Sequence, residues 1–325
     1  MALLKTPTVD AASCSHVGMV RESNQDSALA VMFGGGGSTR EAHAALMVCD
    51  GMGGRKGGEV ASALVAAIVR DSLAAWQPHF DAQGRGWQHK ATDFLHALID
   101  HANAEVRKAA ADAPEELKGM GTTLALALVI RDWCGVVTVG DSRVYRVRAG
   151  LLQQLSIDHS WAEEMRATGG ASEREIRESP YAVQLMRVIG HRDDVSPDVR
   201  WSQSLPGDLI LVCSDGLTKH LGGEMLQYMM RREHDVRKLA ENMVVEANAR
   251  GGEDNIGLVV ARTPPEFTLR LADPDAGQMR TMLRPTAQRL AVVRGELWGI
   301  GVGLALAVGV LLWALGAYLE WWWPG

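Results

Sequence analysis

Over the first 262 residues, short apolar runs alternate with polar breaks, and two periodicities recur. Continuous or alternating apolar character marks "HAALMVCD" (43–50), "TTLALALVI" (122–130), "CGVVTVG" (134–140), "RVYRVRAG" (143–150), "LILVCSDG" (209–216) and "NIGLVVAR" (255–262) as strands. The three runs between 122 and 150 are separated by short polar breaks, which predicts antiparallel neighbours. Apolar residues three and four apart predict helices over 58–76, 92–110 and 236–250. The run "RREHDVRK" from Arg231 reads as a solvated helix face. Strands arrive in runs and helices in runs. That order points to an α+β fold built on antiparallel sheet, not to regular βαβ alternation.

The pattern changes at the C-terminal end. Leu297 to Leu319 is a stretch of 23 residues without a charge. As a helix it would extend roughly 35 Å, enough to cross a hydrocarbon layer of ~30 Å. Arg280, Arg284, Arg289 and Arg294 precede it, whereas Glu320 and Trp321 to Trp323 follow. This asymmetry predicts a transmembrane helix over 296–320, a short extracytoplasmic tail over 321–325 and the large N-terminal part in the cytoplasm. Gly299 and Gly303 form a G-x-x-x-G within it, a spacing found where such helices pair. Residues 263–295, with Pro264, Pro265, Pro274 and Pro285, read as a cytoplasmic linker. The expected folded unit is therefore residues 1–262. The N-terminus carries no long apolar stretch of the kind that begins a secretory signal.

Composition adds modest constraints. A net charge of −6 speaks against a nucleic-acid footprint. Cys14, Cys49, Cys134 and Cys213 are far apart and form no C-x-x-C pair, so they read as reduced thiols, not a disulfide framework or zinc site.

The chemistry lies where apolar runs end. Asp50 closes "LMVCD" and is followed by five glycines in eight residues. Asp141 follows "VVTVG", Asp215 follows "LILVCS", and Asp254 stands just before "NIGLVV". Near the start, "GMVRESNQD" holds Arg21 and Asp26. One Asp-Gly after a strand is ordinarily a turn. Four strand-end aspartates suggest carboxylates gathered at one point, where cations relieve their mutual repulsion. An oxygen-only donor set suits Mg²⁺ or Mn²⁺. "GMGGRKGG" lacks the G-x-x-x-x-G-K-[ST] spacing of a phosphate loop, so that reading is set aside.

Taken in order, "RESNQD", "DGMGG", "GTT", "GDSR", "SDGL" and "EDNIG" resemble the metal-dependent PPM-type (type 2C) protein phosphatases, especially the bacterial branch. The resemblance runs from about Val17 to Arg262 and implies a four-layer α-β-β-α sandwich of two antiparallel sheets flanked by helices. It also implies two Mn²⁺ or Mg²⁺ ions, with Asp50 bridging them, the Gly51 carbonyl on one, and Asp215 and Asp254 completing the other. By the same resemblance Arg21 holds the substrate phosphate, Asp26 holds metal-bound water, and Asp141 helps bind a third, weaker metal. The implied reaction is direct attack of a bridging hydroxide on phosphoserine or phosphothreonine. The implied partners are phosphoproteins and an opposing serine/threonine kinase.

Two positions depart from the family pattern. Met52 stands where some members carry a histidine, a proposed proton donor, and Gln25 stands where others have glutamate. Leu155 to Gly190 corresponds to the flap beside the active site, where substrate selection is expected. His159 reads as a histidine satisfied by local hydrogen bonds, and Cys49 and Cys213 as buried strand thiols. Two other functions compete. A non-catalytic phosphoprotein-binding module predicts a lost metal ligand, yet Asp50, Asp215 and Asp254 are all present. A hydrolase of nucleotides or small phosphate esters would share the same site.

Overall fold

The computed structural model describes residues 9–34, 42–76, 86–111 and 117–264. Most of the linker, the uncharged segment and the tail lie outside them. Among the described residues no helix is long and apolar enough to cross a membrane.

Strands β1 (Asp10–His16), β2 (Asp26–Gly34) and β3 (Ala42–Met52) lead into helices α1 (Gly54–Trp76) and α2 (Trp87–Ala111). Then come β4 (Gly121–Thr122), β5 (Leu124–Ile130), β6 (Trp133–Val139), β7 (Arg143–Arg148) and β8 (Leu151–Gln154). Helices α3 (Trp161–Thr168) and α4 (Glu173–Glu178) precede β9 (Asp198–Gln203) and β10 (Leu209–Cys213). The chain closes with α5 (Asp215–Thr218), α6 (Gly223–Arg232), α7 (Val236–Ala249) and β11 (Ile256–Arg262). One sheet has the order β1-β11-β10-β7-β8; the other runs β2-β3-β5-β6-β9, with β4 paired to β3. The pairings within both sheets are antiparallel.

Strand periodicity generates the layers. In β5, every residue of "LALALVI" is buried. Leu124, Leu126, Leu128 and Ile130 join a core with Val65, Val69 and Leu73 of α1 and Leu95, Ile99 and Val106 of α2. Ala125, Ala127 and Val129 face the other way, into a seam shared with Ile210 and Val212 of β10 and Val259 and Ala261 of β11. The outer face of that second sheet, through Leu209, Leu211, Leu258 and Val260, packs on Leu226 of α6 and Leu239 and Met243 of α7. Four layers result: helices, sheet, sheet, helices. Small residues on the seam side let the sheets approach closely, and larger ones on the outer sides fill the space beneath the helices.

The structure corrects three local readings. β5 and β6 are antiparallel neighbours, but β7 belongs to the other sheet and pairs with β10 and β8. The break "GDS" carries the chain across the seam instead of making a hairpin, because Gly140 (φ +99°) adopts a conformation open mainly to glycine. "TTLALALVI" is two strands: Thr122 ends β4 and pairs with Gly51 near the end of β3, while Leu124 starts β5, which pairs with β3 and β6. "RREHDVRK" is no continuous helix face. It joins α6 to α7, with Asp235 capping α7 by accepting from the amides of Arg237 and Lys238.

Leu126→Ala is expected to lower unfolding free energy by about 2–5 kcal/mol, since it empties a fully buried position under α1 and α2. Ala127→Leu, which adds bulk to the seam, should cost about 1–3 kcal/mol. Urea unfolding of the two variants against the parent checks both values.

Candidate active site

The seam ends in carboxylates for the same reason that it is apolar elsewhere. On β3, Ala44, Leu46 and Val48 face the seam. The next position in that alternation is Asp50. On β2, Ala28 and Ala30 pack against the same cluster, and continuing the alternation leads to Asp26. The register places Asp26 directly opposite Asp50. Two aspartates thus share the last rung of a dry interface.

Neighbouring backbone and hydroxyls fix Asp50. Its amide donates to Thr123 Oγ1 at 3.0 Å, and its carbonyl accepts from the Thr123 amide and the Thr122 hydroxyl, both at 2.9 Å. Thr123 Oγ1 lies 2.7 Å from Ser142 Oγ, which connects Asp50 to the turn bearing Asp141. Gly51 is required by contact: a Cβ there would lie 2.0 Å from the Gly58 carbonyl oxygen in the first turns of α1. The glycines after Asp50 therefore bring helix and strand end together. α1 begins at Gly54, four residues before the apolar periodicity suggests.

From the second sheet, the Ser214 hydroxyl donates to Asp26 Oδ2 at 2.6 Å. Asp215 and Asp254 are held near each other by the approach of Gly216 to Asn255, where a Cβ would fall 1.9 Å from the Asn255 carbonyl oxygen. Lys219 Nζ stands between the two aspartates, 2.8 Å from Asp215 Oδ2 and 2.8 Å from Asp254 Oδ2. Arg21 Nε lies 2.9 Å from Asp254 Oδ1, and its side chain is 56% exposed.

The carboxylates feel one another. Burial, and then the charges of Asp26, Asp215, Asp141 and Asp254, push the Asp50 carboxyl well above the usual range. Burial lifts Asp26 to about 7 against the Ser214 hydrogen bond, with Asp215 and Asp254 adding to the rise. Asp141 also reaches about 7, by burial and then the charge of Asp215. Burial would raise Asp254 too, but Lys219, the Asn255 amide and Arg21 outweigh it and leave it low. Such a group of oxygens suits a hard cation. Asp26 Oδ1, buried with no hydrogen-bond partner, is the kind of atom that a bound water or ion would satisfy. Among the described residues no three acidic, histidine or cysteine side chains are gathered round one point in metal-ligand geometry. Between Asp215 and Asp254 there is an ammonium group instead.

The family model described as "Protein phosphatase 2C" matches residues 15–256 of this chain. The chain belongs to the protein phosphatase 2C family. It is a protein serine/threonine phosphatase. The phosphatase is 29% identical over 243 residues to the serine/threonine phosphatase stp of Listeria monocytogenes, covering 75% of this chain and 91% of that protein. The Streptococcus agalactiae (S. agalactiae) serine/threonine phosphatase superposes with a TM-score of 0.68 at 26% identity, over 78% of this chain and 99% of that one. A catalytic domain of the serine/threonine phosphatase PstP, solved with two manganese ions, gives a TM-score of 0.63 at 29% identity, over 79% of this chain and 98% of that one.

Every aspartate singled out in the sequence of the phosphatase, together with Arg21 and Gly51, falls at this end of the sandwich. The flap segment contains α3 and α4, and its far end docks beside the site, where Thr122 and Ile189 exchange amide–carbonyl bonds of 3.0 Å. Its residues Tyr181 and Val183 are exposed. His159 is buried and structural: Nδ1 accepts from the Gly140 amide at 3.2 Å, and its own amide donates to the Gly140 carbonyl at 2.8 Å. Together with Arg187, His159 holds Asp198 down at about 2. Cys49 and Cys213 are buried on the outer sheet faces, and burial pushes the Cys213 thiol up to about 12. All four cysteines are free.

Sequence reasoning missed Asn255. Its Oδ1 accepts from the Gln25 amide, and its Nδ2 donates to the Val17 and Ser23 carbonyls, all at 2.9 Å. One buried side chain thus ties the loop carrying Arg21 to the strand end carrying Asp254. Ser214, Thr123, Ser142 and Lys219 were missed as well. Ser214, Ser142 and Lys219 lie within four residues of a quoted aspartate, and that proximity was the available signal; Thr123, 73 residues from Asp50, had no such neighbour.

A pH dependence follows for the metal-free chain. Folded Asp26 and Asp141 keep protons that an unfolded chain releases above about pH 4. Their contribution to stability therefore falls as pH rises from about 4 to about 7. Thermal midpoints in EDTA should decrease across that window and decrease less with saturating Mn²⁺; calorimetry at matched ionic strength measures the difference.

Proposed function

We propose that the phosphatase hydrolyses phosphoserine and phosphothreonine in proteins with two divalent ions held by Asp50, the Gly51 carbonyl, Asp215 and Asp254. The observation that supports this most is the placement of five aspartates at the end of the seam: Asp26 faces Asp50 in register, the Thr123–Ser142 contact ties Asp50 to the Asp141 turn, and Ser214, which bonds Asp26, precedes Asp215, itself joined to Asp254 through Lys219. When bound, Mn²⁺ or Mg²⁺ supplies Lewis-acid activation of water and neutralises charge on the phosphoryl group. The chain's own residues do the rest. Arg21 offers a planar guanidinium at the exposed rim, where its fork matches phosphate oxygens. Asp254, which holds Arg21 through Nε, sets its orientation. Asp26 turns Oδ2 to Ser214 and leaves Oδ1 to accept a hydrogen bond from the attacking water. Asp141, joined to Asp50 through Ser142 and Thr123, is suited to a third, weaker ion. Met52 at the end of β3 carries no proton to donate, so the leaving alkoxide must take its proton from another group.

The uncharged segment from Leu297 to Leu319, with arginines before it, supports a single-pass anchor in the cytoplasmic membrane and a catalytic domain on the cytoplasmic side. A serine/threonine kinase acting at the same membrane is the fitting opponent.

The deciding experiment follows phosphate release from a phosphothreonine peptide and from a nucleoside monophosphate by the full chain, in EDTA and then in Mn²⁺ or Mg²⁺. Peptide turnover is expected only with metal and should exceed nucleotide turnover. Asp50→Ala and Asp215→Ala should each lose more than about 100-fold, beyond what loss of an outer-shell partner causes. A folded, metal-loaded parent without turnover would favour a phosphoprotein-binding module, and preference for the nucleotide would favour a small-ester hydrolase. For the anchor, the full chain should sediment with membranes after carbonate washing, whereas a chain ending at residue 264 should remain in the supernatant.

A further inference from the structure

Lys219 has no part in the mechanism above, yet it joins two members of the carboxylate group. Its backbone is fixed: the amide donates to the Asp215 carbonyl at 2.8 Å, one turn back along α5. Its ammonium divides itself between Asp215 Oδ2 and Asp254 Oδ2, each at 2.8 Å. These are two of the carboxylates assigned to a divalent ion. We propose that Lys219 is an internal counter-ion of the metal centre, bridging Asp215 and Asp254 in the metal-free chain and displaced when a divalent ion binds there. The inference rests on the metal-site reading in the preceding subsection.

Three physical points support it. First, the ammonium is a compact point charge with three donors, able to serve two carboxylates at once without the planar geometry that arginine needs. Second, an ammonium and a divalent ion cannot share these oxygens. Metal–oxygen contacts of about 2.1 Å leave no room for a cation held at hydrogen-bond distance, and the like charges repel. Third, the exit is open, because the Lys219 side chain is 44% exposed on a flexible four-carbon stem while its Cα stays in place. Arg21 is no substitute, since it meets Asp254 through Oδ1 and makes no ion pair with Asp215 among the described residues. Lys219 thus lowers repulsion before metal arrives and opposes metal entry afterwards. The effect is confined to the Asp215–Asp254 half, so the two ions bind with unequal affinity.

Mn²⁺ titration calorimetry on the full chain, the Lys219→Gln chain and the Lys219→Arg chain tests this. At one of two sites Lys219→Gln should bind at least about 5-fold tighter, the scale of ordinary coupled equilibria. Its thermal midpoint in EDTA should fall below the parent's, and saturating Mn²⁺ should bring the two together. Lys219→Arg, which keeps the charge, should not show the tighter site. A second readout needs only the parent: acylation of Lys219, followed by peptide mass spectrometry, should rise when Mn²⁺ is added. Affinity unchanged or weaker in Lys219→Gln, or labelling indifferent to Mn²⁺, would overturn the counter-ion role while leaving the metal site intact. Absence of Mn²⁺ binding in all three chains would instead overturn the metal-site reading, and this inference with it.

Discussion

Mutual repulsion among carboxylates at the end of a dry seam is the constraint around which this phosphatase is arranged. Asp26 and Asp50 occupy one rung of a sheet whose other clustered seam-facing residues are alanine, valine, Leu46 and Cys134. Left alone, two such charges would hold protons or pull the strands apart. The fold answers with positioned dipoles and cations. The Ser214 hydroxyl serves Asp26, Arg21 and Lys219 serve Asp254, and the Thr122–Thr123 corner locks the Asp50 backbone so that its side chain cannot retreat. The two sheets supply opposite halves of this arrangement. Close approach across the alanine-rich seam is therefore a condition of the chemistry as well as of stability.

Much of this was legible in the sequence. The runs containing Asp50, Asp215 and Asp254 are strands at whose ends apolar alternation gives way to a carboxylate, and six ordered motifs pointed to the sandwich and its metal edge. What could not be read has physical reasons. β1, "DAASCSH", contains no large apolar residue, so its pairing with β11 is invisible to periodicity. β9, "DVRWSQ", is an edge strand with no fully buried residue. The passage from β6 to β7 looks like a hairpin because the sequence distance is short; the crossing between sheets is a tertiary event set by the turn at Gly140.

At the site, the aspartates and Arg21 were found, whereas Lys219 and the residues acting through a hydroxyl or an amide were not. Ser214, Thr123 and Asn255 have no periodic signature, and their value appears only when distant segments meet. Lys219 is the instructive case. Four residues after Asp215 it looks like an ordinary helix-surface pair, worth little at an exposed position. The contact with Asp254, 35 residues further along the chain, is what changes its meaning.

The Asn255 hydrogen bonds and the β1–β11 ladder also bear on the order in which the protein comes into being. Residues 10–16 pair with 256–262, and Asn255 grips the Arg21 loop across 230 to 238 residues. Loop closure over such a span is slow and comes late in folding. A ribosome-bound chain therefore carries Asp26 and Asp50 long before it carries the strand that completes their surroundings. Dephosphorylating activity would switch on as a single late event during synthesis, when β11 leaves the exit tunnel and slides in beside β1.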